Sequence, residues 1–320
     1  MSGHKALCIS HGEDADGLIC AALLRRMRGA SPILVTYDDF LEALKGVEPP
    51  VDELYICDLN IREALLEEIL RINGFARVTI VDHHASVEGL LESLVERRVK
   101  VLHDVRDCTS VILYDHFREE LGREAGRLAA YAAWADQFED GPIASRLLWD
   151  YDRQFVQHEA LILAHSIVRT QEPGFWSLIV DELSGLAFPH EIPGVVEAAL
   201  AHLRESSEMI ARLPAVATTR LGRFAYVEAE GEEPIGTVAN LIVDALGVEV
   251  GLCYKVKSGS RVSVSLRSRR GLAFHLGEIT RRVAARRGGF GGGHKRASGA
   301  SLPLQSLEGF IDDVAAELAE

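Results

Sequence analysis

Short apolar runs that stop on carboxylates or histidines set the strongest limit on how this chain folds. Arg77-Val78-Thr79-Ile80-Val81 is mostly β-branched and runs straight into Asp82-His83-His84. Ala6-Leu7-Cys8-Ile9-Ser10 leads into His11, with Asp14 and Asp16 just beyond, and Glu53-Leu54-Tyr55-Ile56-Cys57 leads into Asp58. Apolar runs this short, without strict polar alternation, read as strands buried on both faces, the habit of parallel sheets. The segments between them suit crossover helices. Residues 18–28 place Ala21, Ala22, Leu23 and Leu24 on an apolar side, with basic residues in the last turn. Residues 63–73 gather Leu65, Leu66, Ile69, Leu70 and Ile72, with Gly74 placed as a C-cap. Strand, helix, strand, helix predicts an α/β domain whose parallel sheet is covered on both faces.

Further along, Lys100-Val101-Leu102 is another strand. Residues 111–117 begin a helix for which Thr109 or Ser110 is the natural N-cap, and 124–137 are helical up to Asp136. Residues 140–190 are mostly helical and carry no legible motif. Residues 195–213 read as one connecting helix stopped by Pro214. Beyond it the pattern changes: 224–228, 248–254 and 262–268 are strands, and 237–246 and 273–287 are helices. The expected organisation is a parallel-sheet domain at 1–192, a connecting helix at 193–213 and a smaller mixed α/β domain at 214–320.

The net charge of −14 argues against a protein that coats long nucleic acid with its whole surface. Its distribution says more. Residues 251–300 hold twelve Lys and Arg against the single acid Glu278, so this segment carries +11 and the remainder −25. That local surface suits a small anion or one end of a nucleic acid; Arg281, Arg282, Arg286 and Arg287 equally suit a solvated helix face. The five cysteines have no CxxC spacing, which excludes a zinc finger and a disulfide framework. No apolar run is long enough for a bilayer, and the expected setting is cytoplasmic with no membrane partner.

The chemistry lies at the strand ends. In an open parallel sheet the carboxyl ends share one edge, so His11, Asp14, Asp16, Asp58, Asp82 and His83 can converge, with Asp136 from the end of a helix. Singly, each reads as well as a helix cap, a loop acid or a polar turn. Together they repel one another unless cations are present. Carboxylate oxygen and imidazole nitrogen suit divalent ions such as Mn, Zn or Fe. Two ions about 3.5–4 Å apart form a site used for phosphoester cleavage, and one carboxylate must then bridge them. Asp58, on the middle strand, is the candidate bridge.

These residues resemble the motifs of the DHH phosphoesterases that carry a C-terminal DHHA1 domain. Asp82-His83-His84 matches the motif that names the family. Asp14-Ala15-Asp16-Gly17 is similar to its first motif, Ile56-Cys57-Asp58 to its second and Asp136 to its fourth. Gly291-Gly292-Gly293-His294 with Ala297-Ser298-Gly299 is similar to the DHHA1 signature, and Arg267 stands where that domain keeps an arginine. The resemblance spans nearly the whole chain, in order. It implies an active site in an interdomain cleft and two ions, usually Mn²⁺, with Mg²⁺ an alternative. One would be held by His11, Asp14 and Asp58, the other by Asp16, Asp58, His83 and Asp136, with Asp82 also among the metal candidates. His84 would face the phosphate, and Arg267, Gly291, Gly292, Gly293 and His294 would bind substrate. Cys20 stands near where relatives often have serine.

The implied activity is a phosphodiesterase that cuts short oligonucleotides or dinucleotides from one end, with Asp58 and His84 as its catalytic groups. The family also holds cyclic di-AMP phosphodiesterases, 3′-phosphoadenosine 5′-phosphate phosphatases, RecJ-like single-strand exonucleases and polyphosphatases. An acidic chain with no added nucleic-acid domain favours a short substrate, since long single strands want a basic channel with stacking aromatics. A replication-complex scaffold of the same fold, without catalysis, is the reading from another class. A homodimer is one assembly open to it.

Overall fold

The structure is a computed structural model that describes residues 4–220, 223–231, 233–257 and 260–319. The chain divides into two compact units, Met1–His202 and Leu203–Glu320.

In the first unit, strands β1 (Ala6–His11), β2 (Ser31–Val35), β3 (Glu53–Cys57), β4 (Arg77–Asp82) and β5 (Lys100–His103) alternate with helices α1 (Ala15–Arg28), α2 (Phe40–Lys45), α3 (Leu66–Asn73) and α4 (Leu90–Glu96). Helices α5 (Thr109–Ala135), α6 (Ala144–Leu148), α7 (Arg153–Arg169) and α8 (Pro173–Ser184) follow. All strand pairs are parallel and the order is β2-β1-β3-β4-β5. Alternate strand residues feed opposite faces. Cys8, Cys57 and Val81 pack with α1, α5, α7 and α8, while Ile9, Ile56 and Ile80 pack with α2, α3 and α4. Both faces are buried, which is why these strands read as unbroken apolar runs.

The order matters for function. From β1 the chain moves outward to β2, then crosses back to β3 on β1's other side. The carboxyl ends of β1 and β3 therefore flank a topological switch point, the crevice where open α/β sheets hold ligands.

One expectation changes in this unit. Thr109 and Ser110 are not the cap of α5 but its first two residues; Cys108 holds the cap position and makes no side-chain cap bond. Asp16 of α1 does that work across the sequence, accepting from the Thr109 N–H at 2.7 Å and the Ser110 N–H at 2.8 Å. The helices expected at 111–117 and 124–137 are both present within α5, on either side of a kink with non-helical backbone at Phe117 and at Gly122, whose φ of 75° suits glycine.

Helix α9 (Val195–Val216) carries the chain through the division between the units, and Met209 and Leu213 join the second unit's core. It does not stop at Pro214. Proline lacks only its own N–H, and the last turn still closes from the Ala217 N–H to the Leu213 carbonyl at 2.9 Å. The second unit contains β6 (Thr218–Arg220), β7 (Phe224–Glu228), α10 (Ile235–Leu246), β8 (Val250–Lys257), β9 (Arg261–Ser268), α11 (Leu276–Arg286), β10 (Phe290–Gly293), β11 (Ala297–Pro303) and α12 (Leu307–Glu317). Its sheet is mixed, in the order β10-β11-β9-β8-β7-β6, with only the β7–β8 pair parallel. Helices α11 and α12 cover one face and α10 the other.

No helix among the described residues is long and apolar enough to cross a membrane.

Candidate metal centre

The first sequence motif is a strand-to-helix turn. Asp14 caps α1, its Oδ1 accepting from the Gly17 N–H at 3.0 Å. Gly17 is there because the turn passes close to β1: a Cβ at that position would lie 2.2 Å from the His11 carbonyl oxygen. Gly17→Ala is therefore expected to force His11 and Asp14 apart and to cost about 1–3 kcal/mol of stability. Chemical denaturation checks this; an unchanged midpoint would refute the close approach.

Asp58 follows β3 with a φ of 57°, a left-handed backbone that aspartate tolerates better than most residues. Its N–H donates to the Val81 carbonyl at 3.1 Å, tying the ends of β3 and β4 together. The Asp58 carboxylate is buried. Its Oδ2 lies 3.8 Å from His11 Nδ1, and its Oδ1 lies 3.4 Å from His83 Nε2 and accepts from the Thr109 hydroxyl at 3.0 Å. His83 Nε2 is also 3.7 Å from Asp136 Oδ2. His11 Nδ1 lies 2.9 Å from Asp14 Oδ2.

Three groups of donor atoms result, each with all atoms within 4.8 Å of one another: His11, Asp14 and Asp58; Asp16, His83 and Asp136; and Asp58, His83 and His84. The strand ends thus bring six of the seven metal candidates together. Asp82 is in none of these groups. It is buried, and its Oδ1 accepts from His84 Nδ1 at 2.7 Å.

The electrostatics follow from crowding. Burial raises the pKa of Asp16 to about 6, helped by the charge on Asp58. Burial would also raise Asp58, but the imidazoles of His11 and His83 hold it well below the usual carboxylate range. Burial opposes protonation of His83, yet Asp58 and Asp16 raise its pKa to about 10. Asp136 is pushed well above the ordinary range by burial and then by Asp16. Its Oδ2 is buried without a hydrogen-bond partner among the described residues. An orphaned carboxylate oxygen beside an imidazole, with Asp58 common to two of the groups, fits divalent cations. His11, Asp14 and Asp58 would hold one, and Asp16, Asp58, His83 and Asp136 another.

Three contributors were not visible in the sequence. The Tyr37 hydroxyl lies 3.1 Å from His84 Nε2, Thr109 donates to Asp58, and His103 Nε2 lies 2.7 Å from the His84 carbonyl oxygen. The β4–β5 register, with His103 opposite Asp82, is the only signal that leads to the last of these.

The second unit's residues assemble differently from a glycine loop. Gly291, Gly292 and Gly293 are strand β10, paired antiparallel with β11. The backbone there runs against the start of α11: a Cβ on Gly277 would lie 2.1 Å from the Gly293 carbonyl oxygen, and one on Gly293 would lie 2.5 Å from the Ala297 carbonyl oxygen. Gly293 also has a φ of 137°. Close packing thus accounts for this glycine. The His294 N–H donates to the Ala297 carbonyl at 2.7 Å, and Ala297 is the register partner of Arg267, so His294 and Arg267 flank one residue.

Four of the twelve cations of the basic segment are already paired with acids from outside it. Arg282 and Arg286 pair with Glu317, Arg287 with Asp313 and Arg269 with Glu249. The helix-face arginines are therefore a paired surface. Arg267 differs. Its partners are the Ser265 hydroxyl at 2.9 Å and the Leu266 carbonyl at 3.0 Å, with no carboxylate among the described residues. Burial lowers its pKa below the ordinary arginine value.

A family model for the DHHA1 domain matches residues 223–320. A comparison with curated proteins gives no match. Among solved structures, the DHH domain of a protein described as belonging to a family of ribosomal proteins is similar with a TM-score of 0.70 at 14% identity, over 99% of this chain and 87% of that chain. Exonuclease RecJ bound to manganese is similar with a TM-score of 0.64 at 19% identity, over 99% and 91%. The pGpG-specific phosphodiesterase PggH from Vibrio cholerae is similar with a TM-score of 0.54 at 11% identity, over 99% of each chain. With Asp82, His83 and the acids of the neighbouring strand ends gathered on the carboxyl edge of its parallel sheet, the chain shares the fold of these DHH-domain structures and carries a DHHA1 domain at residues 223–320.

Proposed function

We propose that the protein is a metal-dependent phosphoesterase that hydrolyses short oligonucleotides or dinucleotides from one end, with two divalent ions, Mn²⁺ by preference. The observation that carries this reading is the place of the Asp58 carboxylate between His11 and His83, which links the His11–Asp14 donors to the Asp16–His83–Asp136 donors at the switch-point edge. Divalent ions bound there would supply charge neutralisation at the phosphate and an activated water. The chain's own residues would do the rest. His84 would donate to a phosphoryl oxygen, oriented by Asp82 and Tyr37. Arg267 and His294 are the residues assigned to a terminal phosphate, because a half-buried guanidinium with only neutral partners gains most from an anion.

A short substrate is supported by Arg267, whose described partners are neutral, and by the likeness to PggH, a phosphodiesterase specific for pGpG. The likeness to exonuclease RecJ favours a second reading, a single-strand exonuclease. The test is catalytic efficiency with Mn²⁺ on oligonucleotides from two to about twenty residues, a range exceeding the roughly 4–16 nucleotides of a single-strand groove. Dinucleotides are expected to be best. Efficiency rising steadily with length would establish the exonuclease instead. Turnover of cyclic di-AMP or 3′-phosphoadenosine 5′-phosphate alone would keep the chemistry and replace the substrate.

Arg267→Ala is expected to lower efficiency on the dinucleotide by roughly 10–100-fold, the loss of one or two hydrogen bonds to a charged group. Efficiency on the longest oligonucleotide should fall less. An equal loss at every length would mean that Arg267 does not read a chain end.

A further inference from the structure

The opposite edge of the first unit's sheet holds a pocket that this chemistry does not use. It lies at the amino ends of β3, β4 and β5 and is lined by Arg28, Arg77, Arg97, Arg98 and Lys100 around Tyr55 and Phe117, with a volume of about 460 Å³. That is the size of a small-molecule site. Five residues of β3 separate it from Asp58, roughly 16 Å at ~3.3 Å per residue.

Two of the cations are paired: Arg28 with Glu120, and Arg77 with Glu53 at 2.7 Å. Arg97, Arg98 and Lys100 have no carboxylate partner among the described residues. Lys100 Nζ lies 5.1 Å from the centre of the Phe117 ring and 2.7 Å from His116 Nε2. Burial and then the Lys100 charge hold His116 below its ordinary pKa.

The backbone adds an independent sign. Arg98 closes α4: its N–H donates to the Val95 carbonyl at 2.9 Å, and the next N–H, of Val99, donates to the Leu94 carbonyl at 3.1 Å. That is a helix stop whose left-handed position favours glycine. Here arginine occupies it, with a φ of 66° and an exposed side chain. A long cationic side chain kept in a backbone that favours glycine, at the wall of a basic pocket, points to a ligand.

We propose that this pocket is a second anion site, separate from the metal centre, that takes a small ligand carrying a phosphate monoester or diphosphate. Three cations without a carboxylate partner among the described residues match the charge of such a group, and a volume of about 460 Å³ suits a nucleoside monophosphate.

The test is calorimetry on the full chain in EDTA at low salt, with pyrophosphate, AMP and adenosine as probes. Pyrophosphate and AMP should bind and adenosine should not; binding of pyrophosphate without AMP would identify an inorganic ligand of the same class. Arg98→Gly should weaken binding about tenfold or more while raising Tm, because glycine relieves the backbone. Lys100→Gln should weaken it similarly. Both variants should keep wild-type hydrolysis, and Arg267→Ala should leave this binding unchanged, which separates the site from the proposed substrate contacts. Wild-type affinity in Arg98→Gly and Lys100→Gln would overturn the proposal. So would no binding of either phosphate at millimolar concentration, or an Arg98-dependent affinity confined to oligonucleotides.

Discussion

Replacing Asp58 with asparagine is expected to abolish hydrolysis, with kcat/KM falling on the order of 10³ or more, since an ion lost or displaced removes several kcal/mol of charge stabilisation. Asparagine is the informative substitution. Position 58 is left-handed, with a φ of 57°, and asparagine tolerates that backbone where alanine adds strain. Asp58→Asn also keeps an oxygen to accept from Thr109. It removes the charge that two donor groups share. Metal content, measured by elemental analysis after dialysis against Mn²⁺, should fall together with activity, while the folding transition stays sharp. Asp58→Ala should lose activity to the same extent and be less stable. Full Mn²⁺-dependent turnover in Asp58→Asn would end the shared-carboxylate reading, because no other residue belongs to both of these groups and lies between His11 and His83.

The carboxyl edge was legible because it depends on local features. Each of β1, β3 and β4 is a short apolar run, and each stops on a chemically distinctive residue. A parallel sheet aligns those stops whatever the rest of the chain does. The parts that were not legible depend on contacts far apart in sequence. Nothing near Tyr37 says that it meets His84, and Thr109 reads as a helix cap until Asp16, ninety-three residues earlier, is seen accepting from its N–H. The glycine run, expected to bind substrate from the family resemblance, is also free to form a close-approach loop because glycine permits that. The same freedom also permits a strand packed against α11, and the close approach of Gly277 to Gly293 selects the strand. The basic segment of residues 251–300 looked like an open positive surface for a similar reason. Its neutralising partners, Glu317 and Asp313, belong to α12, outside the segment. Arg98 is the reverse case: in sequence it is one charge among many, and only its backbone angle sets it apart.

Replacing His84 with alanine is expected to lower kcat by on the order of 10² or more while leaving bound metal in place, the cost of removing a donor aimed at developing charge. The geometry supports a donor. His84 Nδ1 lies 2.7 Å from Asp82 Oδ1 and Nε2 lies 3.1 Å from the Tyr37 hydroxyl, so both ring nitrogens face fixed partners. Burial opposes protonation of this ring, but Asp82 and then Asp58 raise its pKa, which favours the doubly protonated donor. Its carbonyl oxygen is held by His103. Yet His84 also stands in a donor group with Asp58 and His83, so the same ring is positioned to bind an ion instead. The two roles separate on metal content. A donor leaves it unchanged in His84→Ala; a ligand lowers it. Asp82→Asn completes the comparison. It keeps a hydrogen-bond acceptor for His84 but removes the charge behind it, so kcat should fall less than in His84→Ala and metal should be retained. Loss of metal in His84→Ala would make His84 a ligand, and loss in Asp82→Asn would make Asp82 one.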